Sequence, residues 1–527
     1  MVRRNTFFAS NIGCCHDRLG YHRVGFRARE FKMNTPAAYW YQIDKGHQVD
    51  KVERLDQWDF VFSPWHFGTK ILLMAVLSIT MHGCTRLQIP LLQRDVPATW
   101  HHISHSQHAV SVPQPDLKNW WRAFADQELE KIVINALRSN LDLQQSVGRI
   151  RAARALGQYT SNKLKPSLTF RTDSTPYPGV DTSYFVAGFD ATWELGIFGS
   201  HNSEILGALS KLNLALAETQ AARVSVVAEV VRTYIKLRNT QQKLVLLNNL
   251  ARTKKILLTL VRIRQTLGFA SMVDVSRSEG GYTESLVSIS QIREIEEKSL
   301  QQLAVLLGYT EPDPIWRKLG SLPTISSFHI ESEPADLLRT RPEIRYAEEN
   351  ALLAASRLGL AKADLYPKIS LGGGISVATR INGLSMGAPT QIFSIGPQID
   401  IPLFNWGARR AIVSARDTEL SAALLAYRQA IVVGVAEVES ALTSLQHKQY
   451  QVQREKQRVG VLMRFAKKTK SLWDLQLANR YDWATAHMAV DEARLDQFDA
   501  KYAESIAFIS LYKALGGAPP LPHDVGL

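Results

Sequence analysis

The chain has 527 residues, 45% of them hydrophobic and 21% charged, so it can bury a large core and is neither disordered nor collagen-like. Its net charge of +13 does not indicate a nucleic-acid partner, because residues 84–527 spread 51 basic and 42 acidic side chains without a dense basic block. No wholly apolar run approaches the ~20 residues of a membrane-spanning helix, which excludes a helical membrane protein.

The N-terminal segment 1–83 is predicted to be a leader that ends in a lipoprotein signal. Lys70 precedes the apolar stretch 71–83, and Cys84 follows directly. This order resembles a bacterial lipoprotein signal, in which Cys84 is lipidated and becomes the first residue of the mature chain; a short buried helix is the alternative. Residues 1–70 are too long and too mixed in charge for the basic region of a signal. Either the start codon is assigned too early, so that residues 1–60 are not part of the protein, or the leader is unusual; we favour the early start.

Residues 84–114 are polar and contain prolines, as expected of a tether between a lipid anchor and a folded domain. Four histidines between His101 and His108 also allow metal binding. The sequence favours the flexible tether. Because no cysteine follows Cys84, disulfide frameworks, zinc fingers and iron–sulfur clusters are excluded from the rest of the chain.

The remainder of the chain is predicted to be an internal duplication. Pro166 and Pro367 stand at an offset of 201, and Val227-Ala-Glu-Val230 recurs as Val435-Ala-Glu-Val438 at an offset of 208. Ordered matches with one shift of offset indicate two copies of one structural unit. The predicted domains are the leader 1–83, the tether 84–114, the first repeat 115–320, the second repeat 321–520 and a tail 521–527.

Each repeat is predicted to contain a helix of about 25 residues, a proline, two strands and a very long helix. The strands show period-two alternation, with apolar residues on one face and small or polar residues on the other. Phe185, Phe189 and Trp193 share one face, and parity puts Asp190 and Asp400 on the opposite face. A membrane barrel with water inside fits this pattern; a soluble sandwich is the alternative.

The long helices argue against the sandwich. Residues 201–267 and 408–473 contain no proline, and at 1.5 Å per residue each stretch reaches about 100 Å. Apolar residues spaced by three and four predict a coiled-coil seam, for which helices at 271–306 and 481–514 are the partners. The seam consists of Val227, Val230, Tyr234 and Leu237, and of Val435, Val438, Leu442 and Leu445.

Four strands cannot close a membrane barrel, because the smallest closed barrels have about eight and an open edge in lipid leaves backbone groups unpaired. The sequence therefore predicts an oligomer. The fold class is a mixed membrane β-barrel and long α-helical coiled-coil barrel.

The chain contains several short motifs, in a fixed order and in both repeats. By these motifs it resembles the TolC-like outer-membrane efflux channels, in particular the lipoprotein branch that serves resistance-nodulation-division pumps. The motifs are Trp120-Trp-Arg-Ala-Phe124, Asn140-Leu-Asp142, Trp193-Glu-Leu-Gly-Ile-Phe-Gly199, Arg341-Pro-Glu343 and Ile401-Pro-Leu-Phe-Asn-Trp-Gly407. The resemblance implies a homotrimer with a twelve-stranded barrel in the outer membrane and a twelve-helix tunnel in the periplasm. It also implies a periplasmic adaptor and an inner-membrane transporter as partners.

The second repeat departs from the family where the gate is expected. Leu477 is interpreted as the replacement of the glycine that the first repeat has at Gly268, and Ala486 stands where a gate carboxylate is usual. The candidate gate is Asp482, with Arg480 and Tyr481, and Arg480 or Asn479 would pair with the Asp482 carboxylate. The alternative is that Asp482 only stabilises a helix N-terminus.

No Ser/His/Asp spacing, Gly-rich phosphate loop or paired-carboxylate site is present, so neither an enzyme nor a cofactor is expected. The predicted function is the outer-membrane channel of a tripartite efflux pump that passes small toxic compounds or drugs. A channel for type I protein secretion and a lipid-anchored periplasmic scaffold are the alternatives.

Overall fold

The computed structural model describes residues 117–175, 183–325, 341–382 and 385–521. The predicted leader, its lipidation site Cys84 and the histidines His101–His108 lie outside the described residues. These predictions therefore stay predictions.

The described part of the first repeat has the predicted order of elements. Its helices and strands are α1 (Gln127–Ser139), α2 (Leu141–Lys163), β1 (Ser167–Thr175), β2 (Ser183–Glu194), α3 (Ser200–Thr266) and α4 (Met272–Leu306). Side chains set the helix starts: Asp126 accepts hydrogen bonds from the backbone N–H groups of Glu128 and Leu129, and Asn140 accepts one from Leu143. A short 3₁₀ turn, Trp120–Phe124, precedes α1.

The second repeat follows the same order. Its elements are α5 (Pro342–Ala363), β3 (Lys368–Asn382), β4 (Ser385–Met386), β5 (Thr390–Asp400), α6 (Trp406–Asp474) and α7 (Arg480–Ala514). Pro342 occupies the first turn of α5, where its missing N–H costs nothing. β5 ends at Asp400, two residues before Pro402, which lacks the N–H that a ladder needs.

The two predicted long helices are present. α3 has 67 residues and α6 has 69, so each is about 100 Å long at 1.5 Å per residue. Their predicted partners α4 and α7 both have 35 residues and pack against them. Of the predicted seam, Val230, Leu237 and Val438 are fully buried.

The five strands form one antiparallel sheet with four strand positions. The order is β1, β2, β3, and then β4 and β5 along the same edge of β3. β5 pairs with residues 368–378 of β3, and the two-residue β4 continues that edge at Ile381 and Asn382. The four predicted strand positions are therefore confirmed, with the last one interrupted between β4 and β5.

The main core lies where the two ends of the described chain meet the middle of the long helices. Trp120 donates a hydrogen bond of 3.0 Å to the carbonyl oxygen of Gly517, and its ring stacks on that of Tyr512 at 5.5 Å. Phe124 packs edge-on against Phe508 in the same cluster. α3 runs through this core and contacts α1, α2, α4, α5 and α7, whereas the main contacts of α6 are α5 and α7.

One described helix, α6, contains an 18-residue window with the composition of a membrane span, with a mean hydropathy of 1.3. No uninterrupted apolar run in the sequence is this long; the window qualifies by length and composition alone, because it tolerates single polar residues. Only 22% of this window is buried within the chain. The window in α6 therefore leaves apolar surface uncovered by this chain alone.

Candidate functional site

The sheet exposes a continuous apolar face. Register pairs Phe170 with Phe189, Phe189 with Ile375 and Ile375 with Phe393, so one face carries large apolar side chains across all four strand positions. Phe393 is 71% exposed and Ile395 is 72% exposed. An exposed apolar patch of this extent marks a surface that contacts lipid or another apolar partner.

The opposite face is small and polar, and it carries both aspartates named from the sequence. Asp190 pairs with Gly374, which pairs with Ser394; Asp400 lies on the same face as Ser394, six residues along β5. Asp190 and Asp400 therefore lie on the same face of the sheet. They do not share a level, because six strand residues span about 20 Å.

Glycines on this polar face place no side chain above the sheet. A Cβ atom built at Gly188 would lie 2.5 Å from the backbone of Ile375 and Ser376, so no larger residue fits there without a shift. At Gly374 a Cβ would lie 3.0 Å from the Phe189 carbonyl oxygen. The small residues leave the space above this face of the sheet open.

The far ends of the long helices form two helical hairpins, and the first has a complete set of end signals. α3 ends with Gly268 in the left-handed region at φ 77°, and the Phe269 N–H bonds back to the Arg264 carbonyl. This is a Schellman C-cap. α4 begins with a capping box in which Ser271 and Asp274 bond each other's backbone N–H groups. The Asp274 carboxylate accepts hydrogen bonds from the backbone N–H and from the hydroxyl of Ser271, and these two bonds, the first above all, lower the pKa of Asp274.

The second hairpin repeats this geometry at the repeat offset of 208, but with a different residue in the turn. Gln476 adopts the left-handed conformation at φ 62°, and its neighbour Leu477 donates to the Leu472 carbonyl at 2.8 Å. The residue in the glycine position is therefore Gln476. The assignment of that position to Leu477 was wrong by one residue, since the repeat offset of 208 carries Gly268 onto Gln476.

The candidate gate residues Arg480, Tyr481 and Asp482 are the first three residues of α7. Asp482 is the third residue of α7 and exposed; its backbone N–H bonds to the Asn479 side chain at 2.8 Å. Within the described residues, the Asp482 carboxylate forms no ion pair with Arg480, so that expected pair is absent from the single chain. Tyr481 turns to the first hairpin, where Arg264 lies 5.5 Å from its ring centre.

Sequence reasoning missed a buried carboxylate near this tip. Asp491 is 2% exposed, and its Oδ2 has no hydrogen-bond partner among the described residues, while Arg494 lies 3.5 Å from Oδ1 and His487 lies 3.9 Å from Oδ2. Ala486, where a carboxylate was looked for, is 3% exposed. The i, i+4 and i, i+3 spacing of these charged residues was the available signal.

A cleft of about 420 Å³ lies between the first hairpin and the start of α7, and we call it the tip cleft. It combines cationic and apolar side chains. Its lining includes Lys254, Leu257, Val261, Arg264, Phe269, Asp274, Arg277, Tyr481 and Met488. Among the residues that the structure describes, no cluster of three or more His, Cys, Asp or Glu residues is arranged to hold a metal.

The chain is similar to known proteins. A family model described as outer membrane efflux protein matches residues 132–309 and 334–517. Nodulation protein T of Rhizobium leguminosarum bv. viciae is 28% identical over 332 residues, which are 62% of this chain and 69% of that protein. Outer membrane protein OprJ of Pseudomonas aeruginosa is 26% identical over 480 residues, 86% of this chain and 96% of that protein. The solved structure of the outer-membrane channel OprN superimposes with a TM-score of 0.73 at 24% identity, covering 83% of this chain and all of that one.

Proposed function

We propose that this chain, which belongs to the outer membrane efflux protein family, forms the outer-membrane channel of a tripartite efflux pump and passes small toxic compounds or drugs from the periplasm to the exterior. The observation that carries this proposal is the two-faced sheet continued by helices of 67 and 69 residues. Lipid covers the apolar face, and the polar face with Asp190 and Asp400 lines water. A scaffold without a pore leaves this apolar face in water.

The functional unit is a homotrimer. The sheet has open edges at β1 and at β4 and β5, and unpaired backbone groups at such edges are not tolerated in lipid. Three copies supply twelve strand positions and close the barrel. The apolar window of α6, of which 22% is buried within the chain, also favours an oligomer, because a neighbouring copy can cover it.

The internal repeat predicts which elements meet between copies. Within the chain, α3 of the first repeat is covered by α5 and α7 of the second. By the same rule α6 is covered by α2 and α4 of the next copy. Arg264 on α3 lies over Tyr481 on α7, and shifting both positions by the repeat offset gives Leu472 of one copy beside Val273 of the next. Leu472 is 45% exposed and Val273 is 65% exposed in the single chain.

Cysteine cross-linking tests this arrangement. In a background with Cys14, Cys15 and Cys84 replaced by serine, the variant L472C/V273C is expected to give covalent dimers and trimers after mild oxidation in the outer membrane. The pair L472C/V305C is the control, because Val305 is at the opposite end of α4. The proposed assembly would be contradicted if only the control pair gave cross-linked trimers, or if neither pair did. The proposed channel would be contradicted if the protein showed no conductance in planar bilayers.

The remaining features of the pump are proposals of the same kind. Its partners are a periplasmic adaptor protein and an inner-membrane transporter of the resistance-nodulation-division type. Cys84 carries the lipid that assists anchoring in the outer membrane. Asp482 closes the periplasmic end together with Arg480 and Tyr481.

A further inference from the structure

The tip cleft is of the size that holds a small organic molecule. Its volume is about 420 Å³, and pockets for such ligands measure about 300–1,000 Å³. Residues of α3, of the turn after it, of α4 and of α7 line it. On α3 the lining residues are spaced by three and four, so they lie on one face of the helix, with two apolar side chains between two cations. They are Lys254, Leu257, Val261 and Arg264.

The lining of the cleft carries an excess of positive charge. Among the described residues that line it, Lys254, Arg264 and Arg277 are basic and Asp274 is acidic. Asp274 pairs with Arg277 at 3.4 Å, so Lys254 and Arg264 have no ion pair within the described part of the chain. Lys254 is half-buried, and Arg264 lies 5.5 Å from the centre of the Tyr481 ring. A half-buried ammonium group and a nearby guanidinium group, both without a carboxylate, favour an anionic ligand.

The fold of a hairpin does not require these cations. The repeat offset of 208 places an uncharged residue of the second hairpin at each of the three basic positions. These residues are Leu462, Leu472 and Thr485. The acidic position is retained, because Asp274 corresponds to Asp482. Since a hairpin of the same geometry forms without the three cations, they are a property of the cleft.

The apolar part of the lining indicates the other half of the ligand. Leu257, Val261 and Met488 are aliphatic, and Phe269 and Tyr481 supply aromatic rings. An inorganic anion would pair with the cations and leave these apolar surfaces in water. A flat ring covers them, because aromatic and guanidinium groups stack favourably on such a ring.

A glycine in the interior of α4 keeps the cleft open. Gly280 and Gly281 are less favourable in a helix than alanine, because glycine loses more freedom on folding. A Cβ atom at either position would meet nothing within 4 Å, so close packing within the chain does not require them. Gly281 lines the cleft, whereas Gly280 beside it does not. A side chain at position 281 would therefore take up space that a ligand needs.

We propose that the tip cleft is a binding site for a small aromatic carboxylate. The acidic group of the ligand pairs with Lys254, and its ring lies over Leu257 and Val261. Arg264 covers that ring by a cation–π contact, as it does the ring of Tyr481 in the single chain. Because α7 belongs to the second hairpin, the ligand contacts both hairpins and stabilises their arrangement in proportion to its occupancy.

The test uses the full-length channel in detergent, with 2-naphthylacetate as the probe and the uncharged 2-naphthylacetamide as its twin. Isothermal titration calorimetry measures both affinities after the heat of mixing with protein-free micelles is subtracted. We expect the acid to bind about tenfold more tightly or better, as a charge-assisted hydrogen bond implies. Inorganic phosphate at equal concentration should not displace it. Equal affinities of the twins, or displacement by phosphate, would overturn the proposal.

A second result would also overturn it. If the acid does not bind to the assembled channel at all, a neighbouring copy fills the cleft, and the cleft is not a ligand site.

Filling the cleft is the sharpest structural variant. G281L is expected to abolish binding of 2-naphthylacetate, because the leucine side chain occupies the space of the ring. G280L is the matched control, since it changes the adjacent glycine of the same helix at a position that is equally open but outside the lining. Both changes favour the helix. Equal loss of binding in the two variants would show an effect on α4 in general and would refute the site.

Removing one charge tests the role of Lys254. K254M is expected to weaken binding of the acid by about tenfold and to leave the weak binding of the amide unchanged, because methionine keeps most of the apolar stem. K255M is the control, since Lys255 is exposed, adjacent in sequence and not part of the lining. Unchanged affinity for the acid in K254M, or the same loss in K255M, would contradict the proposed contact.

Hydrogen exchange locates the bound probe. Saturating 2-naphthylacetate is expected to slow exchange in residues 254–264 and around Tyr481 together, because both segments line the cleft. Protection confined to the sheet would place the probe elsewhere and refute the site. Conductance in planar bilayers is measured separately, so the proposed channel function stands whether or not this site binds a ligand.

Discussion

The turn of the second hairpin offers a sharp test of how the two tips differ. Within the described ranges, four helix ends share the Schellman geometry, and three of them have glycine in the left-handed position: Gly268, Gly308 and Gly516. The fourth has Gln476 at φ 62°. We expect Gln476→Gly to stabilise the second hairpin, because glycine adopts this conformation without a steric cost.

The magnitude follows from two opposing terms. The left-handed conformation costs an L-residue about 1–2 kcal/mol. Glycine gives back about 0.5–1 kcal/mol, because it loses more freedom on folding than other residues. The net gain is therefore about 0.5–1 kcal/mol per chain. A chain of this size has an unfolding entropy of about 1 kcal/mol per kelvin, so the melting temperature would move by about one degree or less.

Local opening is the better measurement. Hydrogen exchange of the peptide that spans residues 472–480 is expected to slow by about two- to fivefold in Gln476→Gly, as the gain of about 0.5–1 kcal/mol implies. The reciprocal change Gly268→Gln is the control, since a Cβ there meets nothing within 4 Å and only the backbone conformation is at stake. It should speed exchange at the first turn. Unchanged or faster exchange in Gln476→Gly would refute the reasoning.

Four further predictions concern the gate, the caps, the core and the anchor. Asp482→Ala is expected to raise single-channel conductance in planar bilayers and reduce cation selectivity, with a much smaller effect of Asp274→Ala; unchanged values in Asp482→Ala would place the gate elsewhere. Because the pKa of Asp274 is lowered, its stabilisation of the first hairpin is fully present above the ordinary carboxyl pKa and is lost as pH falls through the lowered pKa. Amide exchange at this hairpin, corrected for intrinsic rates, should therefore rise on acidification in the native chain. In Asp274→Asn the corrected exchange should stay constant with pH. Trp120→Phe should cost about 1 kcal/mol by loss of the hydrogen bond to Gly517 and Trp120→Ala about 3–5 kcal/mol, measured as local exchange near residue 517. Intact-mass analysis of outer-membrane protein should show a chain that starts at an acylated Cys84, and Cys84→Ser should weaken anchoring only in part.

The elements that the sequence predicted well are those with long, uninterrupted patterns. The absence of proline over α3 and α6 and the period-two alternation of β2 each constrain many residues at once. Their bounds in the structure differ from the predicted ones by only a few residues. The duplication strengthened these predictions, because the same order of elements is predicted independently from each repeat.

The details of the tip were less predictable, because they depend on single residues and on packing between distant segments. One residue decides which side chain occupies the left-handed position, so the assignment to Leu477 in place of Gln476 failed. The orientation of Tyr481 depends on Arg264, which belongs to the other repeat and is remote in the sequence. Asp491 is buried only through the packing of α7, which a one-dimensional pattern does not contain.

The two hairpins are therefore unequal by construction. The first has a glycine C-cap, a reciprocal capping box and an apolar cluster of Leu258, Val261 and Val275. The second has a strained turn residue and a single N-cap bond, from the Asp482 N–H to the Asn479 side-chain oxygen. A stack of the Trp473, Trp483 and His487 rings holds it. Since each cap contributes about 1 kcal/mol, the second hairpin opens at the lower free energy.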